Sequence, residues 1–248
     1  MADHQLDQDE LEFLAAYDAS LYQRPSVAVD VVLLTVVEDA LHTLLVRRGI
    51  QPYLGQWALP GGFVRVDESL DEAARRILGA KAGIDDVFIE QLYTFGEPGR
   101  DPRTRVISVV YYALVEAGGL LSAVTSGTDG LRRLAVVSTP GPAEARDEDG
   151  TPLPLAFDHG AILAAAVERV QGKVGYAPLG FELLPETFTL RDLRRVHEAI
   201  LGRQLNKDSF RRTVLDRGLL VPTGERLTGV DHRPAELYRV AQEVRHED

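Results

Sequence analysis

The segment from Trp57 to Ile84 constrains the fold of this 248-residue chain more than any other part of it. It opens with the letters WALPGGFV, in which two adjacent glycines follow a proline, and then changes to a pattern that favours a helix. Ser69 is suited to cap the start of that helix, and Gly83 is suited to end it. The segment therefore predicts a glycine-containing turn followed by a helix over residues 69–82.

The spacing within this segment closely resembles the Nudix box, a signature that joins a glycine, several glutamates, an arginine and an aliphatic residue at fixed intervals. The match runs over residues 62–84, which makes it specific for the fold. The resemblance implies a mixed α/β (α+β) domain, a Nudix-like αβα sandwich. The positions that fall on register are Gly62, Glu68, Arg76, Leu78, Gly83 and Ile84.

Three positions of the box that should be glutamate are instead Ile77, Ala80 and Lys81. Offsets of 0, 3 and 4 place such residues on one helix face, where carboxylates would hold magnesium against a diphosphate. An aliphatic group, a methyl group and an ammonium offer no oxygen ligands, so we expect no metal site and no catalytic residue. The alternative is an active ADP-ribose pyrophosphatase that draws its carboxylates from elsewhere, such as Glu90, Glu97 or Asp101.

Composition narrows the class of protein further. The chain is 45% hydrophobic and 26% charged, which is typical of a globular protein with one large or two modest domains. It has no cysteine, which excludes disulfides, iron–sulfur centres and a cysteine nucleophile. No apolar stretch is long enough to span a membrane, and the acidic N-terminus lacks a signal-peptide layout. We therefore expect a cytoplasmic protein without a membrane partner.

Charge is distributed unevenly along the chain. The net charge is −11, which by itself argues against a nucleic-acid partner because an acidic surface repels phosphate. Residues 191–217, however, hold eight basic and four acidic residues, a local charge of +4. This contrast indicates a second domain of different character, although a solvated helical face with mixed charges would have the same composition.

Mixed strand and helix patterns fill the first part of the chain and predict a first domain, which we place over residues 1–175. Strand-like runs lie at 27–37 and 41–47, around a turn at Glu38 and Asp39, and again at 106–115. The proline-rich residues 139–154 are predicted to form a surface loop. Residues 172–186 contain several glycines and prolines, which suits a linker between domains.

A different pattern follows, over residues 182–248. Thr189 begins a predicted helix that ends at Gly202, and Asn206 can cap a second helix that stops at Gly218. A β-hairpin with a turn at residues 222–224 is predicted to follow. Two helices joined by a tight connection and followed by a hairpin are the layout of a winged helix-turn-helix, a DNA-binding fold, although a generic packing domain could share the pattern.

The combination of an eroded Nudix box and a C-terminal winged helix-turn-helix resembles the Nudix-related transcriptional regulators of NAD metabolism. That resemblance implies a homodimeric repressor that binds a palindromic double-stranded operator near NAD biosynthesis or salvage genes. The implied effector is ADP-ribose or a related NAD metabolite, with no cofactor required. A sister branch of the family senses a sugar, so a sugar-sensing regulator is a further alternative.

The candidate ligand-binding residues are basic side chains, glycines and a histidine near the Nudix box. Lys81 occupies the face that a metal would have used, where its ammonium can offset a diphosphate, and His159 either faces the pocket or caps a helix. Tyr93, Phe95 or Tyr112 could stack an adenine. The full set of predicted ligand residues is Arg47, Arg48, Gly61, Gly62, Arg76, Lys81, Arg105 and His159.

The candidate DNA-binding residues lie on the second predicted helix of the winged domain and on its hairpin. At about 100° per residue, Phe210 and Val214 share one side of the helix and Arg212 lies on the other. We expect Arg212 to enter the groove, and Lys207 and the hairpin arginines to contact the backbone. The predicted DNA-binding residues are Lys207, Ser209, Arg211, Arg212, Arg226 and Arg233.

Overall fold

A computed structural model describes residues 7–84, 87–125, 132–138, 143–175, 179–227 and 234–241 of the chain. Within these residues the α-helices are α1 Gln8–Ala16, α2 Leu70–Ile77, α3 Ala117–Thr125, α4 His159–Lys173, α5 Leu190–Leu201 and α6 Lys207–Asp216. None of these helices is long and apolar enough to cross a membrane.

The strands divide into a large sheet in the first part of the chain and a two-stranded sheet near its end. The strands of the large sheet are β1 Ser26–Val37, β2 Ala40–Arg47, β3 Trp57–Ala58, β4 Gly61–Phe63, β5 Glu90–Phe95, β6 Val106–Leu114, β7 Arg132–Val137 and β8 Ala145–Arg146. The small sheet pairs β9 Leu220–Arg226 with β10 Glu236–Val240.

The main path of the large sheet has the order β5-β6-β1-β2-β7-β8, with β3 beside β2 and β4 beside β1. Strand β1 pairs parallel with β6 and antiparallel with β2 and β4. Its central residues are buried without alternation, because helices cover both faces of the sheet. Asp30 is a buried charge in this otherwise apolar run.

Two hydrophobic cores lie on opposite faces of the sheet. Helix α2 contributes Ala74 and Ile77 to one core, and α4 contributes Ile162 and Leu163 to the other. Each apolar helix stripe therefore has a sheet face to cover, and the predicted αβα sandwich is confirmed.

The predicted boundaries of the Nudix-box helix are also confirmed. The Ser69 hydroxyl accepts a hydrogen bond from the backbone N–H of Glu72, whose carboxylate accepts one from the backbone N–H of Ser69. The helix then widens into a π-helical turn, Leu78–Ala82, and ends at Gly83 with φ of 70°. The left-handed region suits glycine, which explains the stop at this residue.

Three local predictions were incomplete or wrong. Residues 145–146, predicted as part of a loop, form the edge strand β8 because they pair with β7. Helix α3 was missed, since its sequence AGGLLSAVT contains two glycines and no capping signal. The turn predicted at residues 222–224 is absent, since β9 continues through Pro222 and Gly224 with a bulge in its pairing to β10. Gly224 has φ of 79°, a left-handed value that glycine adopts without strain.

The second domain has the predicted layout of two helices followed by a β-hairpin. The Thr189 side chain caps α5, which ends at Gly202, and the Asn206 side chain caps α6. Its core consists of Phe188, Leu193, Val214, Leu220 and Tyr238, contributed by both helices and both strands.

The two domains pack against each other. Val196 and Ile200 of α5 belong to the same hydrophobic core as α4 and the large sheet. The Gln171 side-chain amide donates to the carbonyl of Ile200 at 2.9 Å, and Arg195 forms an ion pair with Asp39 in the β1–β2 turn. The segment predicted as a linker therefore joins domains that share a packed interface.

Candidate functional site

A cavity of about 210 Å³ opens beside the Nudix box, between β1, β2, β4 and the start of α4. Backbone and apolar atoms form much of its wall, and its charged groups are concentrated at a few positions. The charged and histidine side chains that line it are Asp30, Arg47, Arg48, Lys81, Arg100, Asp101, Arg103 and His159.

The buried carboxylate of Asp30 lies in the wall of this cavity against the diglycine turn. Ser108 donates a hydrogen bond to Asp30 at 2.6 Å. A Cβ added to Gly61 would lie 1.9 Å from Asp30 Oδ1, so the carboxylate occupies the space that a side chain would need. Glycine at position 61 is thus a steric requirement of the buried charge.

Arg100 and His159 complete the network around Asp30. The Arg100 guanidinium donates to both oxygens of Asp158, at 2.8 and 2.6 Å, and lies 3.6 Å from Asp30. His159 Nδ1 accepts a hydrogen bond from the backbone N–H of Leu59 at 2.9 Å, which leaves Nε2 facing Asp30. Burial lowers the pKa of His159, so the ring is neutral at pH 7.

Basic side chains outnumber acidic ones in the lining of the cavity. Among the groups lining it, five arginines and lysines face two aspartates, a net charge of +3 with His159 neutral. Desolvation lowers the pKa of Lys81, and the nearby charge of Arg48 lowers it further. Such a concentration of positive charge favours an anionic ligand.

The carboxylates near the box are engaged in structural contacts. Glu68 accepts hydrogen bonds from Arg76 at 2.8 and 2.5 Å, and this arginine holds the pKa of Glu68 at about 2. Glu72 belongs to the helix cap, and Ile77 is packed in the core. Within the described residues, no group of three histidine, aspartate or glutamate side chains could hold a metal ion. The residues present do not fit magnesium.

An active hydrolase could instead use the carboxylates of Glu90, Glu97 or Asp101. Two of these bind other side chains, and the third is exposed. Glu90 binds Lys173 and Tyr112, and Asp101 accepts two hydrogen bonds from the Arg103 side chain, at 3.0 and 2.7 Å. Glu97 is exposed, and its carbonyl accepts a hydrogen bond from Arg105.

The structure brings most of the predicted ligand residues together at the cavity wall, namely Arg47, Arg48, Gly61, Gly62, Lys81 and His159. Arg76 instead pairs with Glu68 and donates to the carbonyl of Phe63 at 3.1 Å, which gives it a structural role. Arg105 lies outside the cavity lining and binds backbone carbonyls.

The aromatic residues predicted to stack an adenine lie away from the cavity. Tyr112 is buried with its hydroxyl on Glu90, and Tyr93 packs edge-on against Phe95. The aromatic side chains in the cavity lining are Phe63 and Phe157. Sequence reasoning missed both of them, although Phe63 directly follows the diglycine.

Asp30, Arg100 and Arg103 were also missed as site residues, and Asp101, which lines the cavity, was considered only as a carboxylate for an active hydrolase. The signal for Asp30 was present, since a charge within an uninterrupted apolar strand must be paired or hydrogen-bonded. The signal for Arg100 and Arg103 was weaker, because arginines in a loop are common.

A second candidate site is the exposed side of α6. Val214 is buried and Phe210 half-buried, whereas Ser209 and Arg212 are exposed. Lys207 lies in the first turn, where the helix dipole favours contact with phosphate. The helix thus presents a polar, basic surface away from its own core.

The remaining predicted DNA contacts differ in their surroundings. Arg211 is exposed but lies beside the hydroxyl of Tyr238, in a groove that also includes Arg191, Arg194 and Lys207. Arg226 is exposed at the end of β9. Arg233 lies outside the described residues.

Family models match both domains of the chain. Residues 24–150 match the NUDIX domain, and residues 180–240 match the NrtR DNA-binding winged helix domain.

Curated relatives include both regulators and enzymes. The chain is 36% identical over 235 residues to the ADPR responsive transcriptional repressor NtrR of Acinetobacter baylyi, covering 94% of this chain and 88% of that protein. It is 37% identical over 143 residues to an ADP-ribose pyrophosphatase of Methanocaldococcus jannaschii, covering 58% of this chain and 73% of that protein. The match to the regulator extends through the winged domain.

A solved structure shares the same two-domain arrangement. The crystal structure of Shewanella oneidensis NrtR complexed with a 27mer DNA matches with a TM-score of 0.73 and 35% identity, covering 88% of this chain and 94% of that one.

Proposed function

The chain belongs to the NrtR family, in which a Nudix domain precedes a DNA-binding winged helix domain, and from this membership we propose that it is a transcriptional repressor of NAD biosynthesis or salvage genes. It acts in the cytoplasm as a homodimer on a palindromic operator. Its Nudix domain binds ADP-ribose or a related NAD metabolite and uses that ligand as a signal.

One observation carries this proposal: a cavity with a basic lining, for which the described residues offer no group of three metal-ligating side chains, is packed against a domain whose helix α6 exposes Lys207 and Arg212. A diphosphate carries negative charge that a hydrolase offsets with magnesium. Here the arginines and Lys81 supply that positive charge, which supports binding without chemistry. The relative that is an ADPR responsive repressor supports the same assignment.

Helix α4 offers a physical connection between the two sites. It begins at His159, in the cavity wall, and Gln171 near its other end binds the carbonyl of Ile200 in α5. A ligand that shifts the hydrogen-bond network of Asp30 would therefore act on the first residues of α4. The other end of α4 contacts the winged domain, so the shift can reach that domain through the helix.

The proposal is tested with operator DNA. We expect the purified protein to shift a DNA fragment from the region upstream of its own neighbouring genes, and we expect ADP-ribose to change the fraction bound. A protein that binds such fragments no better than unrelated DNA of equal length would refute the regulatory role.

We expect no enzyme-like hydrolysis of ADP-ribose. Positions 77, 80 and 81 provide no carboxylates, and the metal is the group that would stabilise the leaving phosphate. The measurement is AMP release from ADP-ribose in the presence of magnesium. Turnover of about 1 per second or faster lies in the usual enzyme range and would favour the pyrophosphatase alternative.

We expect Lys81→Ala to weaken ADP-ribose binding about tenfold or more. A charge-assisted contact contributes about 1.5–3 kcal/mol, and Lys81 lies where a metal would otherwise meet the diphosphate. Calorimetric titration measures the change. Arg75→Ala is the matched control, since Arg75 is an exposed cation on the same helix and outside the cavity lining. Equal affinities of the two variants would exclude a phosphate contact by Lys81.

A further inference from the structure

We propose that Phe63 and Arg103 form a stacking platform for the base of a nucleotide effector, and that this platform selects nucleotides over base-free phosphates. The inference rests on the proposed effector-binding role of the cavity. It adds a second recognition element to the basic residues that would hold the phosphates.

Four planar groups are arranged in a column at the mouth of the cavity. The Arg103 guanidinium lies 5.3 Å from the ring centroid of Phe63 and 5.8 Å from that of Phe157. The Arg48 guanidinium lies 4.6 Å from the centroid of Phe157. All three distances fall within the range of cation–π attraction, so cations and rings alternate from Phe63 to Arg48.

The column is held in place by contacts at each level. Asp101 binds the side chain of Arg103 with both oxygens, and Arg48 Nε donates to the carbonyl of Pro52 at 2.8 Å. The backbone carbonyl of Phe63 accepts a hydrogen bond from Arg76. The carboxylate of Glu68 accepts a hydrogen bond from the same guanidinium and so holds it in place. A preorganised platform loses little conformational freedom when a ligand stacks on it.

Phe63 is the outermost group of this column, and 45% of its surface is exposed. The cavity that it lines holds about 210 Å³, whereas pockets for drug-sized ligands typically hold about 300–1,000 Å³. Part of a nucleoside diphosphate must therefore lie outside the cavity, on its rim. An exposed, rigidly backed aromatic ring at that rim is the surface on which a base can stack.

The cavity lining contains both kinds of group that a nucleotide needs. Lys81 and Arg47 line the same cavity as Phe63, and phosphate needs positive charge whereas a base needs a flat apolar face. A phosphorylated sugar without a base would contact only the basic side chains and not the aromatic platform. The platform therefore supports a nucleotide, rather than a sugar, as the effector.

The test compares a probe that carries a base with a probe that does not. Calorimetric titrations with ADP-ribose and with inorganic pyrophosphate are made on the full chain and on Phe63→Ala, Phe63→Leu and Phe63→Trp. We expect alanine and leucine to weaken ADP-ribose binding about tenfold, because neither has a π-face. Tryptophan should retain the affinity, and pyrophosphate should bind all four proteins equally.

Phe88→Ala is the matched control, since Phe88 is also an exposed phenylalanine, at 55%, and lies outside the cavity lining. An etheno-adenine analogue of ADP-ribose adds a direct readout, because its fluorescence falls when the base stacks. Unchanged ADP-ribose affinity in Phe63→Ala, or an equal loss for pyrophosphate, would overturn the platform while leaving the effector site intact. Failure of the unmodified chain to bind either probe would overturn the proposed effector and the platform together.

Discussion

Replacing Gly61 with alanine is expected to lower the melting temperature by about 5 °C and to abolish measurable binding of ADP-ribose. The added Cβ would lie 1.9 Å from Asp30 Oδ1 and 3.1 Å from the carbonyl of Val29. The second of these atoms is backbone in the central strand, so the new methyl group cannot be accommodated by a side-chain rotation alone. Overpacking of this kind costs about 1–3 kcal/mol, which corresponds to a few degrees for a chain of this size.

The loss of binding has a separate cause. Asp30 is 5% exposed and interacts with Ser108, Arg100 and His159. If the methyl group displaces its carboxylate, these partners are left with buried polar atoms that must find new contacts. The cavity wall is rearranged as a result, even though Gly61 itself offers no side chain to a ligand.

Gly49→Ala is the matched control for this prediction. Gly49 lines the same cavity, and a Cβ added there would meet no atom within 4 Å. Differential scanning fluorimetry and calorimetric titration of both variants separate the steric effect from any general effect of adding a methyl group. If Gly61→Ala melts at the same temperature as Gly49→Ala, the close packing of Asp30 against the diglycine is incorrect.

Much of the fold could be predicted because its signals are local. Strand β1 is a valine-rich run and β2 a leucine-rich one around a two-residue turn, and Ser69 and Gly83 mark the ends of their helix by cap chemistry. Helix α3 and strand β8 could not be predicted in this way. Their residues adopt their structure because they pack against or pair with β7, which is a tertiary effect.

The candidate site likewise combines features that local sequence signals predict with features that depend on tertiary contacts. The box identified which stretch of chain surrounds the cavity, and its missing glutamates predict that no metal is held there. Which arginine faces the cavity depends on partners distant in sequence: Arg76 is taken by Glu68, whereas Arg103 is held by Asp101 at the mouth. Phe157 reaches the same place from the loop before α4. No spacing rule predicts such an assembly.

Arg212→Ala is expected to reduce operator affinity by about 1–3 kcal/mol per half-site, or roughly 5- to 150-fold, if this side chain reads a base in the major groove. Successive residues of α6 are rotated by about 100°, so Arg212 lies about 160° from the buried Val214 and about 60° from Leu215. Its exposure agrees with an outward position. The change should leave thermal stability and ADP-ribose binding intact, because Arg212 belongs neither to the domain core nor to the cavity lining.

Fluorescence anisotropy on operator DNA measures this loss, and the salt dependence of binding identifies its origin. A phosphate contact would be restored by Arg212→Lys and would weaken binding to operator and unrelated DNA alike, whereas a base contact requires the guanidinium fork and affects the operator selectively. Arg65→Ala removes an exposed arginine from the Nudix domain and should leave DNA binding unchanged. Undiminished operator binding by Arg212→Ala would mean that α6 does not enter the groove with this face.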